Sequence, residues 1–155
     1  TPKVISMISS LSNISLRESL THGNLTLENL LWDNSRDKLI IIDPYFETYC
    51  ESITGDVSQV LQSCQSGYEY INKLLSENEY SLSNYPSQFL PTSLKSFTEN
   101  FMLGLQHETW FTDQYLLLFQ ASQFTRMFPF KFAKAPRHAV VFMLHGISLL
   151  SELKC

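Results

Sequence analysis

The sequence predicts a mostly helical domain of the α+β class, in which one small β-hairpin precedes a set of mutually packed helices. The β-branched run Ile40–Ile42 is bounded by turn residues and by Pro44, which marks a short strand. From Asp56 onward apolar residues recur at spacings of three and four, the helical period. Aromatic residues make up 13% of the chain, with eleven Phe and seven Tyr, enough for a thick helical core.

In chain order, the Ser-rich apolar segment Val4 to Leu20 reads as a first helix around Leu16 and Leu20, broken by Thr21-His22-Gly23. Leu30 to Trp32 pairs with Ile40 to Ile42 across the polar loop Asp33–Asp37, and the second of these strands reads as buried. Val57, Val60, Leu61 and Cys64, then Tyr68, Ile71, Leu74 and Leu75, form the next helical pattern, bent or interrupted at Gly67. Pro86 and Pro91 punctuate a loop. Further helices are expected from Thr92 to about His107, from Trp110 to Met127 (ended by Phe128-Pro129-Phe130), and from Arg137 to Leu153 with Pro136 near its first turn. Phe97, Phe101, Trp110, Phe111, Tyr115, Phe119 and Phe124 read as core at helical spacing, with the lining of a ligand pocket as the alternative.

Composition excludes several classes. With 155 residues, 44% of them apolar and 17% charged, residues 1–155 read as one globular domain rather than a disordered tail. The longest apolar run, Ala139 to Leu144, falls far short of the roughly 20 residues of a membrane span. A net charge of −4 offers no basic field for nucleic acid or an anionic membrane, so neither is expected as a partner. Cys50, Cys64 and Cys155 are odd in number and form no C-x-x-C pair, which points to a reducing cytoplasm rather than a disulfide framework. Neither a signal peptide nor an internal repeat is visible, so the sequons at Asn13 and Asn24 carry no meaning. The chain opens on Thr1 rather than Met, as a fragment or a processed product does.

The stretch that carries chemistry runs from His22 to Asp56. It reads His22-x-Asn24-x-x-x-x-Asn29, a hairpin, then Ile41-Ile42-Asp43-Pro44, and later Asp56. An antiparallel hairpin brings its ends together, so the oxygens of Asn29 and Asp43 are expected to converge. An amide oxygen and a carboxylate suit Mg²⁺, which takes hard oxygen ligands and fills its shell with water or phosphate. Read without that chemistry, the same two residues are a loop cap and a strand-end turn, and Asn24 stabilises a tight turn. His138 and His145 lie seven apart on an apolar helix, a spacing that suits packing better than zinc. Cys64 reads as a small core residue.

This pattern resembles the catalytic core of kinase-like phosphotransferases. His22-Gly23-x-Leu25, with Ile42-Asp43-Pro44 at the strand end, is similar to the aminoglycoside phosphotransferase and choline kinase branch. Gly55-Asp56 opening a helix, Leu61-x-Ser63 and Gly67-Tyr68 are similar to bacterial members that lack an assigned substrate. The likeness spans roughly residues 20 to 75. It implies the helical C-terminal lobe of a protein-kinase-like fold, with Mg²⁺ and ATP as cofactors and a small-molecule phosphate acceptor. Asn29 and Asp43 would coordinate the metal that bridges the ATP phosphates. His22 would be structural, and Asp56 a buried anchor that accepts backbone hydrogen bonds. The later helices would build the acceptor pocket, where acidic residues such as Glu108 or Asp113 could meet a cationic acceptor.

Two departures from the family pattern stand out. The family's catalytic Asp is Asn24 in this chain, and an amide orients a hydroxyl but cannot take its proton. Loss of a general base costs about 10²–10⁴ in rate. The five glycines are scattered and form no phosphate-binding loop, and no β-rich stretch with a candidate lysine precedes His22. An N-terminal lobe, from the same or another chain, is therefore an expected partner. The alternative is a pseudoenzyme, a kinase-like module that binds or regulates without chemistry. A third reading, an unrelated helical interaction domain, would lack the hairpin.

Overall fold

A computed structural model describes residues 16, 18–45, 51–77, 79–80, 90–108 and 113–153. Cys50, Cys155, Asn13, Pro86, Trp110, Phe111 and most of the expected first helix lie outside them. The described residues build a mostly helical molecule with one two-stranded antiparallel sheet. The strands are β1 (Leu30–Asp33) and β2 (Lys38–Ile41). The helices are α1 (Ile53–Cys64), α2 (Tyr68–Ser76), α3 (Thr92–Leu105), α4 (Asp113–Arg126), the short α5 (Phe128–Phe132) and α6 (Pro136–Ser151).

The expected hairpin is present, but β2 runs from Lys38 to Ile41 rather than from Ile40 to Ile42, and Asp33 belongs to β1 rather than to the loop; Leu30 lies opposite Ile41 and Asp33 opposite Lys38. Its turn is closed by the Asp33 carboxylate, which accepts the backbone N–H and the hydroxyl of Ser35 at 2.9 and 2.6 Å. Asp37 finishes the turn in the left-handed region, φ 50°, a conformation Asp tolerates better than most residues. The strand is not buried as the apolar run implied. Leu39, Ile40, Ile41 and Ile42 are all exposed, as are Leu31 and Trp32. A two-stranded ribbon has no third layer of its own, and no described helix covers it.

The expected first helix is not helical where it is described. Glu18 forms an isolated antiparallel bridge with Ser52, and the Ser19 N–H donates to the Glu51 carbonyl at 3.0 Å. The later helices follow the periodicity. Ser52 caps α1 by accepting the Thr54 N–H. Gly67, at φ 67°, ends one helix and starts the next, a turn that glycine enters without steric cost. Phe128-Pro129-Phe130 was expected only to end a helix; the chain instead turns once and builds α5, with Pro129 in the first turn where no backbone donor is needed.

Two apolar clusters form the core, and α4 contributes to both. Val57, Val60, Leu61 and Cys64 of α1 pack with Leu105 and Leu116. Ile71, Leu75, Ala121, Phe124, Val141, Phe142 and Leu149 form the other. Of the expected aromatic core residues that are described, Phe124 is fully buried, whereas Phe97 is exposed and stacks on Phe101 at 5.9 Å. The ring of His145 lies edge-on to Phe124 at 4.5 Å, and burial pushes its pKa down to about 4, so it serves as a neutral packing group. No described helix is long and apolar enough to cross a membrane.

Helix α6 packs against α4 at Gly146. A Cβ there would lie 2.7 Å from Thr125 Cγ2 and 3.0 Å from the Ala121 carbonyl oxygen. Thr125 cannot easily swing aside, because its hydroxyl is tied to the Ala121 and Ser122 carbonyls. Gly104 in α3 faces open space. Gly146→Ala is therefore expected to cost about 1–2 kcal/mol, overpacking outweighing the gain in helix propensity. Gly104→Ala is expected to stabilise by up to about 1 kcal/mol. Urea midpoints of the two variants, shifting in opposite directions, check the pair.

Candidate active site

The loop His22–Asn29 runs along α1 from its first turn to its last, and a polar stripe on that helix holds its backbone. Asp56, buried on the first turn, accepts the N–H groups of His22 and Gly23 through its two carboxylate oxygens, at 2.7 and 2.8 Å. Charge-assisted bonds of this kind are about twice as strong as neutral ones. Gly23 sits at φ 73°, where a side chain would be strained.

One helical step further on, the Gln59 amide grips the loop at two points. Its nitrogen donates to the Gly23 carbonyl at 2.9 Å and its oxygen accepts the Leu25 N–H at 2.7 Å. Another turn along, the Ser63 hydroxyl accepts the Leu27 N–H at 3.1 Å and donates to Glu69 at 2.6 Å. Burial raises the pKa of that Glu69 carboxyl, against the lowering effect of the Ser63 bond. Asp56, Gln59 and Ser63 thus stand on one face of α1, each bonded to a successive stretch of the loop. Sequence reading singled out Asp56 and noted Ser63 but missed Gln59. The signal was present as three polar residues at spacings of three and four, Asp56, Gln59 and Ser63, which share one face of the helix.

The loop in turn places the polar groups. The Asn24 carbonyl accepts the Thr26 N–H at 2.9 Å and the Asn29 side-chain amide at 2.7 Å. Asn29 is buried, and its main-chain carbonyl accepts the Ile42 N–H at 3.0 Å, joining the loop to the end of β2. The His22 ring donates through Nε2 to the Ile42 carbonyl at 3.0 Å, and the Tyr45 N–H donates back to the His22 carbonyl at 2.8 Å. His22 therefore pins the residue before Asp43 and does not reach into the site. Asp43 is exposed, at φ 59°, a left-handed conformation that costs roughly 1–2 kcal/mol. Its Oδ2 accepts a long contact of 3.4 Å from the Asn24 amide.

All five sequence-predicted positions, His22, Asn24, Asn29, Asp43 and Asp56, thus belong to one hydrogen-bonded unit. No cluster of three or more His, Cys, Asp or Glu with metal-binding geometry occurs among the described residues. Asn29 spends its amide nitrogen on Asn24, which leaves its oxygen as the acceptor for a cation, and Asp43 presents a carboxylate. A hard divalent ion that completes its shell with water and phosphate fits that donor set, whereas zinc does not.

Beside Asn24 opens a cleft of about 280 Å³. Gly23, Asn24 and Tyr45 form one wall; Arg126, Met127 and Phe130 form the other. Neither Glu108 nor Asp113 lines it. No protein-family model, curated protein or solved structure matches this chain.

Proposed function

We propose that this chain is the C-terminal lobe of a Mg²⁺- and ATP-dependent small-molecule phosphotransferase with a kinase-like fold. The observation that carries the reading is the convergence on one short loop: Asp56 fixes the His22–Gly23 backbone, and the fixed loop holds Asn24 within 3.4 Å of Asp43 and against Asn29. Phosphoryl transfer demands little covalent chemistry from the protein and much positioning. A rigid loop that collects an orienting amide and two oxygen ligands at its edge suits that demand.

Asn29 and Asp43 would hold the magnesium ion, which neutralises charge on the ATP phosphates when bound. Asn24 would orient the acceptor hydroxyl. The new bond forms between that oxygen and the γ-phosphorus, the bond from γ-phosphorus to the bridging oxygen breaks, and ADP leaves. The hydroxyl proton goes to solvent, because the Asn24 amide has no site for it. The exposed apolar ribbon of Leu31, Trp32, Leu39, Ile40 and Ile41 is a surface to be covered, and it fits the nucleotide-gripping lobe that the reading requires.

Asn24 also favours a second reading, a pseudoenzyme that keeps the loop and has given up transfer. ATP turnover by the full-length protein separates the two when compared with Asp43→Ala. The phosphotransferase reading expects the substitution to lower turnover by about 10²-fold or more, as loss of a metal ligand does. Equal turnover in both proteins removes the role given to Asp43.

A further inference from the structure

The turn that carries Asn29 is held in place from outside. Leu27–Asn29 is a single 3₁₀ turn, and Thr26 before it lends no side-chain cap. One turn fixes several dihedrals for one hydrogen bond, so it is not stable by itself. Its first donor, the Leu27 N–H, is met by the Ser63 hydroxyl of α1 at 3.1 Å.

A hydroxyl has one proton, and the direction of that proton decides where its lone pairs point. A serine inside a helix commonly donates back to a carbonyl of the preceding turn. Ser58 of the same helix does so, bonding the Gly55 carbonyl at 2.6 Å. Ser63 instead donates to Glu69 at 2.6 Å, a length typical of a charge-assisted bond. Glu69 lies in the first turn of α2, brought back beside Ser63 by the left-handed turn at Gly67. Ser63 is fully buried, so water does not compete for its proton. The Glu28 backbone also bonds the Glu69 carboxyl and lowers its pKa, against the raising effect of burial.

We propose that Glu69 is a positioning residue for Asn29: it takes the Ser63 proton, turns the Ser63 lone pairs to the Leu27 N–H, and so fixes the turn that presents the Asn29 oxygen to the divalent ion. The ion's part rests on the phosphotransferase reading; the fixing of the turn does not. The loop is then clamped at both ends by carboxylates. Asp56 grips the His22 end directly, and Glu69 grips the Asn29 end through a hydroxyl.

Three variants of the full chain test it. Glu69→Leu keeps the bulk and accepts nothing, Glu69→Gln keeps an acceptor oxygen for Ser63, and Ser63→Ala removes the relay. Amide exchange at Leu27, compared with Leu61 in the core, reads the turn; a Mn²⁺ titration reads the ion. Glu69→Leu and Ser63→Ala are each expected to speed exchange at Leu27 by about tenfold, the worth of roughly one hydrogen bond, with Leu61 little changed. Glu69→Gln is expected to stay close to the parent chain. On the Ser63→Ala background, Glu69→Leu is expected to add nothing at Leu27, because it acts through the hydroxyl. Mn²⁺ affinity is expected to fall about tenfold in Glu69→Leu and to recover in Glu69→Gln, as for other groups that orient a metal ligand. Leu27 exchange unchanged by Glu69→Leu, additive effects of the two substitutions, Glu69→Gln as damaging as Glu69→Leu, or Leu61 speeded as much as Leu27 overturns the proposal. If Leu27 opens in the expected pattern and the parent chain binds no Mn²⁺ at Asn29, the metal reading fails and the clamp on the turn stands.

Discussion

In the full-length protein, Asn24→Asp is expected to speed phosphate transfer from ATP about 10²–10⁴-fold, the usual worth of a positioned general base. The loop around position 24 is already built. Its carbonyl is held by Thr26 and Asn29, and its neighbours by Asp56 and Gln59, so the substitution exchanges one side-chain heavy atom, the amide nitrogen for an oxygen, and little else. The same change has an electrostatic cost that makes a second signature. The Asn24 amide now donates to the Asp43 carboxylate at 3.4 Å, and a carboxylate in its place would repel it. Two charges at that separation repel by about 1 kcal/mol in water and by about 4 kcal/mol or more at an effective dielectric near 20. Both groups have access to solvent, so a loss of about 1–3 kcal/mol is expected without divalent ions, recovered when millimolar Mg²⁺ is added. Thermal melts with and without Mg²⁺ read that term and need no acceptor. Turnover unchanged by Asn24→Asp favours the pseudoenzyme. Stability lost but not restored by Mg²⁺ argues that no cation sits between the two positions.

The largest stability effect is expected at Asp56. Asp56→Ala removes the acceptor for two backbone donors, the N–H groups of His22 and Gly23. Gly23 is buried, so its N–H has no ready replacement in water. Hydrogen bonds to charged groups contribute about 1.5–3 kcal/mol each, and orphaned buried donors cost a similar amount. A total of about 3–5 kcal/mol follows, a large share of the 5–15 kcal/mol that holds an ordinary domain together. Asp56→Asn keeps one acceptor but sets an amide N–H against a backbone N–H, so it is expected to cost about half as much. Urea denaturation gives both numbers. Amide exchange at His22 and Gly23, accelerated far more than at Leu61 in the middle of the same core, shows that the loop opens before the helix does. A loss under about 1 kcal/mol for the alanine variant would mean that the loop holds its shape without the anchor.

Much of this architecture was legible because local chemistry dictates it. Ile40–Ile42 and Leu30–Trp32, separated by Asp33-Asn34-Ser35-Arg36-Asp37, could pair only as a hairpin. Val57 to Cys64 and Tyr68 to Leu75 carry the helical period, with Gly67 free to make the left-handed turn between them. The burial of β2 was misread for a physical reason. Apolar residues on both faces are the pattern of a strand covered on both sides, yet no described helix packs on β2, and periodicity alone does not reveal that. Gln59 was missed because a polar residue on a helix is read as solvent-facing until the backbone it grips is placed against it. Arg126 and Phe130 were missed because a cleft between a loop and the end of a distant helix is a product of packing, with no local pattern to announce it.

The proposed phosphate transfer requires that Asn29 and Asp43 share one divalent ion. The direct test is a Mn²⁺ titration of the isotope-labelled protein, in which paramagnetic broadening reports which amides lie near the ion. Broadening is expected first at Asn24, Asn29, Ile42 and Asp43, competed away by Mg²⁺ and lost in Asp43→Ala. Broadening centred elsewhere, or unchanged when Asp43 is removed, would contradict it.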